Sequence, residues 1–175
     1  MRLTARALIA LLCILASTAT AASCDDASAP PALTATVVTV PTAASGLPVI
    51  ALSFDGGRLF VEVAQTPEDR GLGLGGRDAL APDAGMLFDS GESRVPSFSM
   101  RGLRFPLDFI WVGEDKRITA ISADAPPEPG VPNDQLRRYS SGVEIRYVLE
   151  INAGAAARLR LEPGDQLMFE VSALQ

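Results

Sequence analysis

From Pro48 onward the apolar residues come in short runs, and each run is closed by Gly, Pro, Asp or Asn. Runs this short cannot build a long amphipathic helix, so the spacing restricts the chain to a β-rich fold. Pro48 to Phe54 and Arg58 to Ala64, joined by Asp55-Gly56-Gly57, read as a hairpin. Gly85 to Phe88, Ser97 to Met100, Leu107 to Val112, Ile118 to Asp124, Tyr147 to Ile151 and Gln166 to Val171 read as further strands.

Two short helices interrupt this pattern. Thr66-Pro67-Glu68-Asp69 offers a capping hydroxyl, a proline for the first helical position and acids for the first turn, and the glycines from Gly71 to Gly76 stop what it starts. Gly154 to Arg160 is a second, alanine-rich candidate. The expected architecture is mainly β (a β-rich α+β chain), a single compact sandwich or small barrel over residues 47–175 with one or two short helices.

The residues ahead of this domain have another character. Arg2 and Arg6, the apolar run Ala7 to Ala16 and the small residues ending at Ala19-Thr20-Ala21 form the three regions of a secretory signal, assigned to residues 1–23. The run is too short for a spanning helix, which needs roughly 20 apolar residues. Residues 24–46 are rich in Ala, Thr, Ser and Pro and are expected to be a disordered tether, reaching about 60–70 Å when extended.

Cys24 follows Thr20-Ala21-Ala22-Ser23, a loose lipoprotein cleavage box with Ala21 where Leu is usual. Lipid attachment at Cys24 would remove the one thiol left once Cys13 departs with the signal; cleavage after Ala21 is the alternative. The expected location is therefore exported, periplasmic or otherwise extracytoplasmic, with a lipid anchor in a membrane. Without Arg2 and Arg6 the chain carries 13 basic and 21 acidic residues, a formal charge of −8, which argues against a nucleic-acid partner.

The domain holds neither histidine nor cysteine. That removes Ser-His-Asp and Cys-His catalysis and the usual zinc, copper and haem ligands, leaving carboxylates and guanidinium groups; no cofactor and no metal site is expected. Gly71-Leu72-Gly73-Leu74-Gly75-Gly76-Arg77 fits neither a phosphate loop nor a dinucleotide fingerprint, because it follows a helix and lacks the Lys-Ser/Thr ending.

Three acids stand inside apolar strand runs: Glu62, Asp108 and Glu150. Strand alternation puts Leu107, Phe109 and Trp111 on one face and Asp108 with Ile110 and Val112 on the other. A buried carboxylate must be neutral, hydrogen-bonded or paired with a base, and Arg70, Arg77, Arg101 and Arg104 are the available partners. Structural Arg–carboxylate pairs are one reading, and a pair open in a cleft that binds a polar ligand is the other. Met86, Leu87, Phe88, Phe98 and Met100 read as core.

These motifs resemble the domain-of-unknown-function 192 family. The resemblance rests on Val61-Glu62-Val63-Ala64, Arg70-Gly71-Leu72 with Arg77, Gly85-Met86-Leu87-Phe88, Phe98 and Met100, Pro106-Leu107-Asp108-Phe109-Ile110, Val148-Leu149-Glu150-Ile151 with Ala153-Gly154, and Gly164-Asp165. It implies a compact β-rich domain, often exported, and no established activity. Phe98-Ser99-Met100-Arg101-Gly102-Leu103 departs from the family's Phe-Trp-Met-Lys-Asn-Thr.

Three readings of function follow. The first is a noncatalytic binding or accessory module with Arg70, Arg77, Met100 and Asp108 as ligand-binding candidates, taking a polar small molecule or an envelope protein. The second is a hydrolase of cell-envelope polymers using two of Glu62, Asp108 and Glu150, which requires two carboxyls roughly 5–10 Å apart. The third is a structural or assembly protein.

Overall fold

The computed structural model describes residues 45–171, so the signal segment, Cys24 and most of the tether lie outside the described residues. The domain is mainly β with two short helices. Its strands are β1 (Val49–Phe54), β2 (Gly57–Ala64), β3 (Ala84–Arg94), β4 (Leu107–Val112), β5 (Ile118–Ala125) and β6 (Ile145–Asn152). Helix α1 (Pro67–Leu72) lies between β2 and β3, and α2 (Ala155–Leu159) follows β6.

The six strands form one sheet in the order β1-β2-β3-β6-β4-β5. β2 and β3 run parallel, and every other neighbouring pair is antiparallel. The sheet is not closed into a barrel. The β1–β2 hairpin forms as the sequence predicts, closing at the Phe54–Gly57 pair with Gly56 at φ 93°, a left-handed backbone that glycine adopts without strain.

Two segments read as strands are not strands. Phe98 makes a single bridge to Tyr139, and the C-terminal segment makes two, Met168 with Ser53 of β1 and Gln166 with Arg117 beside β5. The reason is geometric: residues 164–168 lie across the gap between the two sheet edges instead of along one of them. Backbone bonds join Met168 to Ser53 on one side and tie Gly164, Asp165 and Leu167 to Lys116 and Ile118 on the other.

Both faces of the sheet are covered, which explains why β4 reads as an unbroken apolar run and has all six residues buried. On one face Leu52, Val61, Leu87, Ile110 and Leu149 pack against Ala155 and Ala156 of α2, with Leu161, Leu167 and Phe169. On the other, Met86, Phe88, Phe109, Trp111 and Val148 lie under Leu74, Met100 and Tyr139, which come from the long connections between strands. Phe109 and Trp111 stack with ring centres 5.5 Å apart, and Phe98 meets both edge-on.

Helix α1 starts as its sequence dictates. The Thr66 hydroxyl accepts the Asp69 N–H at 3.1 Å and donates to the Asp69 carboxylate at 2.6 Å, with Pro67 opening the helix. This cap fixes the direction in which Arg70 leaves the helix. At Gly85 the approach of β3 to β6 is too close for a side chain: a Cβ there would lie 2.8 Å from the Glu150 carbonyl oxygen.

Candidate anion-binding cavity

Register sets the site. Glu62 pairs with Met86, Met86 with Glu150, and Glu150 with Phe109, so these four residues form one row across β2, β3, β6 and β4 on the aromatic face. Two acids in one row have opposite fates. Arg77 grips the Glu62 carboxylate with two bonds of 2.5 and 2.8 Å, and Ser45 donates to it as well. The Arg77 bonds hold Glu62 below the usual carboxylate range against the opposing effect of burial.

Glu150 has no such partner. It is only 5 % exposed, and its carboxyl makes neither a hydrogen bond nor an ion pair among the described residues. Burial alone pushes it up to about 8, with no arginine near enough to pull it back. At neutral pH it is therefore chiefly a carboxylic acid, with a proton to donate. Its oxygens are not sealed in the core, since the one fully enclosed side-chain atom without a partner among the described residues is the Tyr139 hydroxyl; the carboxyl opens onto accessible space.

A cavity of about 420 Å³ opens onto Glu150. Phe88, Phe98 and Leu74 supply its apolar wall, and Arg70, Arg94, Arg101 and Arg138 its charged one. Each arginine comes from a different segment: α1, the end of β3, the loop before β4 and the loop before β6. Arg70 donates to the backbone carbonyls of Gln65 and Asp89, Arg101 to that of Gly71 at 2.7 Å and Arg138 to that of Asn133 at 3.4 Å. None of the four meets a carboxylate at ion-pair distance among the described residues. Four positive charges thus converge on a space whose one acid is buried and largely uncharged.

A second cleft, of about 380 Å³, adjoins Arg70 and contains Asp89 and Arg146. Those two satisfy each other at 3.1 Å. Burial works to raise Asp89, but the Arg146 bonds and the Gly91 N–H outweigh it and hold the acid low. Its charges are spent internally, whereas those of the Glu150 cavity are not.

The residues singled out from the sequence separate accordingly. Arg70 lines the cavity, and so does Arg101. Arg77 does not; it belongs to Glu62. Met100 is 1 % exposed within the aromatic core. Arg104 pairs with the exposed Asp78. Cys24 lies outside the described residues.

Of the fates open to a buried carboxylate, Asp108 takes the hydrogen-bonded one and pairs with none of the four available arginines. It is fully buried on the opposite face, where one oxygen accepts the Asp124 N–H and the other the Ala156 N–H, each at 2.9 Å. The reason is local. Asp124 sits in a left-handed bulge of β5, and α2 begins after Gly154 without a side-chain cap of its own, so two backbone donors point inward and Asp108 satisfies both.

No two of Glu62, Asp108 and Glu150 face this cavity: among the described residues Glu150 is the one acidic side chain that lines it. Among the described residues no three acid, histidine or cysteine side chains gather closely enough to hold a metal ion. No helix among them is long and apolar enough to cross a membrane. Arg94 and Arg138 carry no sequence signal of their own: Arg94 ends β3 and Arg138 lies in the connection before β6, and nothing in the sequence reveals that the two meet at one cavity. Glu150 did carry one, an acid inside Val148-Leu149-Glu150-Ile151.

Comparison with known proteins gives a family and solved relatives. No curated protein matches the chain. A crystal structure of a candidate transcription regulator from Sinorhizobium meliloti 1021 is 36 % identical, with a TM-score of 0.61 over 69 % of this chain and 92 % of that one. A protein of unknown function from Novosphingobium aromaticivorans DSM 12444 is 33 % identical, with a TM-score of 0.63 over 71 % of this chain and 88 % of that one. Residues 50–169 match the model of DUF192, described as "Uncharacterized ACR", and the chain therefore belongs to the DUF192 family.

Proposed function

We propose that the domain is a noncatalytic binding module for a small organic anion, in a protein that is exported and held at a membrane by a lipid on Cys24. One observation carries the binding reading: an unpartnered, buried carboxyl faces a cavity walled by four arginines that no carboxylate neutralises. The volume is within the range of small-molecule sites. Arg70, Arg101 and Arg138 are held by backbone carbonyls and so are oriented before the ligand arrives, which reduces the ordering that binding requires. Arg94 and Arg138 are the pair to test, since neither makes a short bond that the fold depends on.

In the double variant Arg94→Ala, Arg138→Ala the affinity for carboxylates, measured by calorimetry or NMR titration, should fall by roughly tenfold to a hundredfold with little change in melting temperature. Unaltered affinity in a folded variant would sink the reading. The export reading is supported by Arg2, Arg6, the run Ala7 to Ala16 and the position of Cys24. The mature protein should have the intact mass of a chain beginning at an acylated Cys24; the mass of an unmodified chain beginning at Ala22 would refute the anchor and leave export standing.

A further inference from the structure

Resting on that reading, we infer that the ligand is a small carboxylic acid with an apolar body and a hydrogen-bond acceptor, such as a carbonyl, at its far end. Its charge is held by the arginines and its acceptor takes the proton of Glu150. The lining of the cavity combines two polar chemistries. Arg70, Arg94, Arg101 and Arg138 offer donors and positive charge, and the floor offers one carboxyl set between Met86 and Phe109, neither of which can accept or donate usefully.

Phe88 and Phe98 meet edge-to-face with centres 5.1 Å apart and give the same cavity an apolar surface. A wholly polar ligand would leave that surface uncovered. A wholly apolar acid would leave the Glu150 donor without an acceptor, at the cost of a lost hydrogen bond. A cation that ionised Glu150 would meet four arginines on its way in. An acid with a carbonyl at the opposite end satisfies each part of the cavity.

The groups that titrate or carry charge around Glu150 are few. Arg70 from α1, Arg94 from β3, and Arg101 and Arg138 from the loops share its cavity. Its strand neighbours Met86 and Phe109 do not titrate. The Tyr139 phenol, buried in the same aromatic cluster without a hydrogen-bond partner, has its ring stacked on Phe109. Loss of the Glu150 proton is therefore the event that should switch acceptor recognition off as pH rises.

Two probes isolate the acceptor: 4-acetylbenzoate, and 4-isopropylbenzoate, which replaces the carbonyl oxygen by a methyl group at equal heavy-atom count. Both remain monoanions from about pH 6 to about pH 9.5, so the probes do not titrate. For the full mature chain, titration calorimetry should show 4-acetylbenzoate binding roughly tenfold more tightly at about pH 6, with that preference lost at about pH 9.5. Glu150→Gln keeps an N–H donor and should keep the preference at both values; Glu150→Leu should lose it at both, its fold being checked by thermal unfolding. Binding of both probes with equal affinity at either pH would overturn the acceptor inference and leave the anion site intact. Binding of neither probe would overturn both.

Discussion

Glu150→Gln should stabilise the domain by roughly 3–5 kcal/mol near pH 9 and by almost nothing near pH 4. The sign follows from where the proton sits. In the unfolded chain Glu150 ionises near its ordinary value of 4.5, whereas burial holds it protonated up to about 8 in the folded domain. Between those values the folded state binds the extra proton, so the wild-type protein loses stability steadily as pH rises, and the loss levels off above 8. Gln resembles the neutral acid in shape and never ionises.

For a domain of this size the difference near pH 9 corresponds to roughly 10–20 °C in melting temperature. Glu62 and Asp89, both held low by arginines, contribute the opposite trend at acid pH, but they are common to the two proteins and cancel in the comparison. Parallel melting curves for the two proteins across the whole range would show that Glu150 is hydrated or paired in solution, and the site argued from it would fall.

The second large effect belongs to Asp108. Asp108→Ala should cost about 3–5 kcal/mol, because it leaves the Asp124 and Ala156 N–H groups buried with no acceptor and removes the only side-chain cap of α2. Asp108→Asn keeps one acceptor oxygen but turns an amide N–H₂ toward the other backbone donor, so it should cost roughly half as much. Urea unfolding gives the free energies, and hydrogen exchange should quicken at both amides more than elsewhere in the domain. A cost below about 1 kcal/mol for the alanine variant would mean that neither bond matters.

These two acids also show how far the sequence could be read. Both stand in apolar runs, and strand alternation correctly put Asp108 with Ile110 and Val112, away from Phe109 and Trp111. What alternation could not show is what lies against each face. A bulge at Asp124 and an uncapped helix at Ala156 meet Asp108, and α1, the end of β3 and the loops before β4 and β6 bring arginines around Glu150. Those loops have no period, so their paths depend on tertiary packing that one residue's neighbours in sequence do not encode. Thr66-Pro67-Glu68-Asp69 and Asp55-Gly56-Gly57 were legible because each closes its own hydrogen bonds within a few residues. The Gln166 to Val171 run looked like a strand because it has strand composition, yet it meets the sheet edges only at single bridges.

The position of β6 has a consequence for how the chain is made. Synthesis delivers β1, β2 and β3, then β4 and β5, but the edges of β3 and β4 that face one another have no partner until Ile145–Asn152 emerges between them. Any nascent chain shorter than that is two unjoined pieces of sheet, and the strap at residues 164–168 is later still. Vectorial synthesis thus delays cooperative folding until nearly the whole domain is out, which keeps the polypeptide threadable for most of its production. The strand that ends this delay is also the one that carries Glu150, so the floor of the cavity is completed in the same step as the fold.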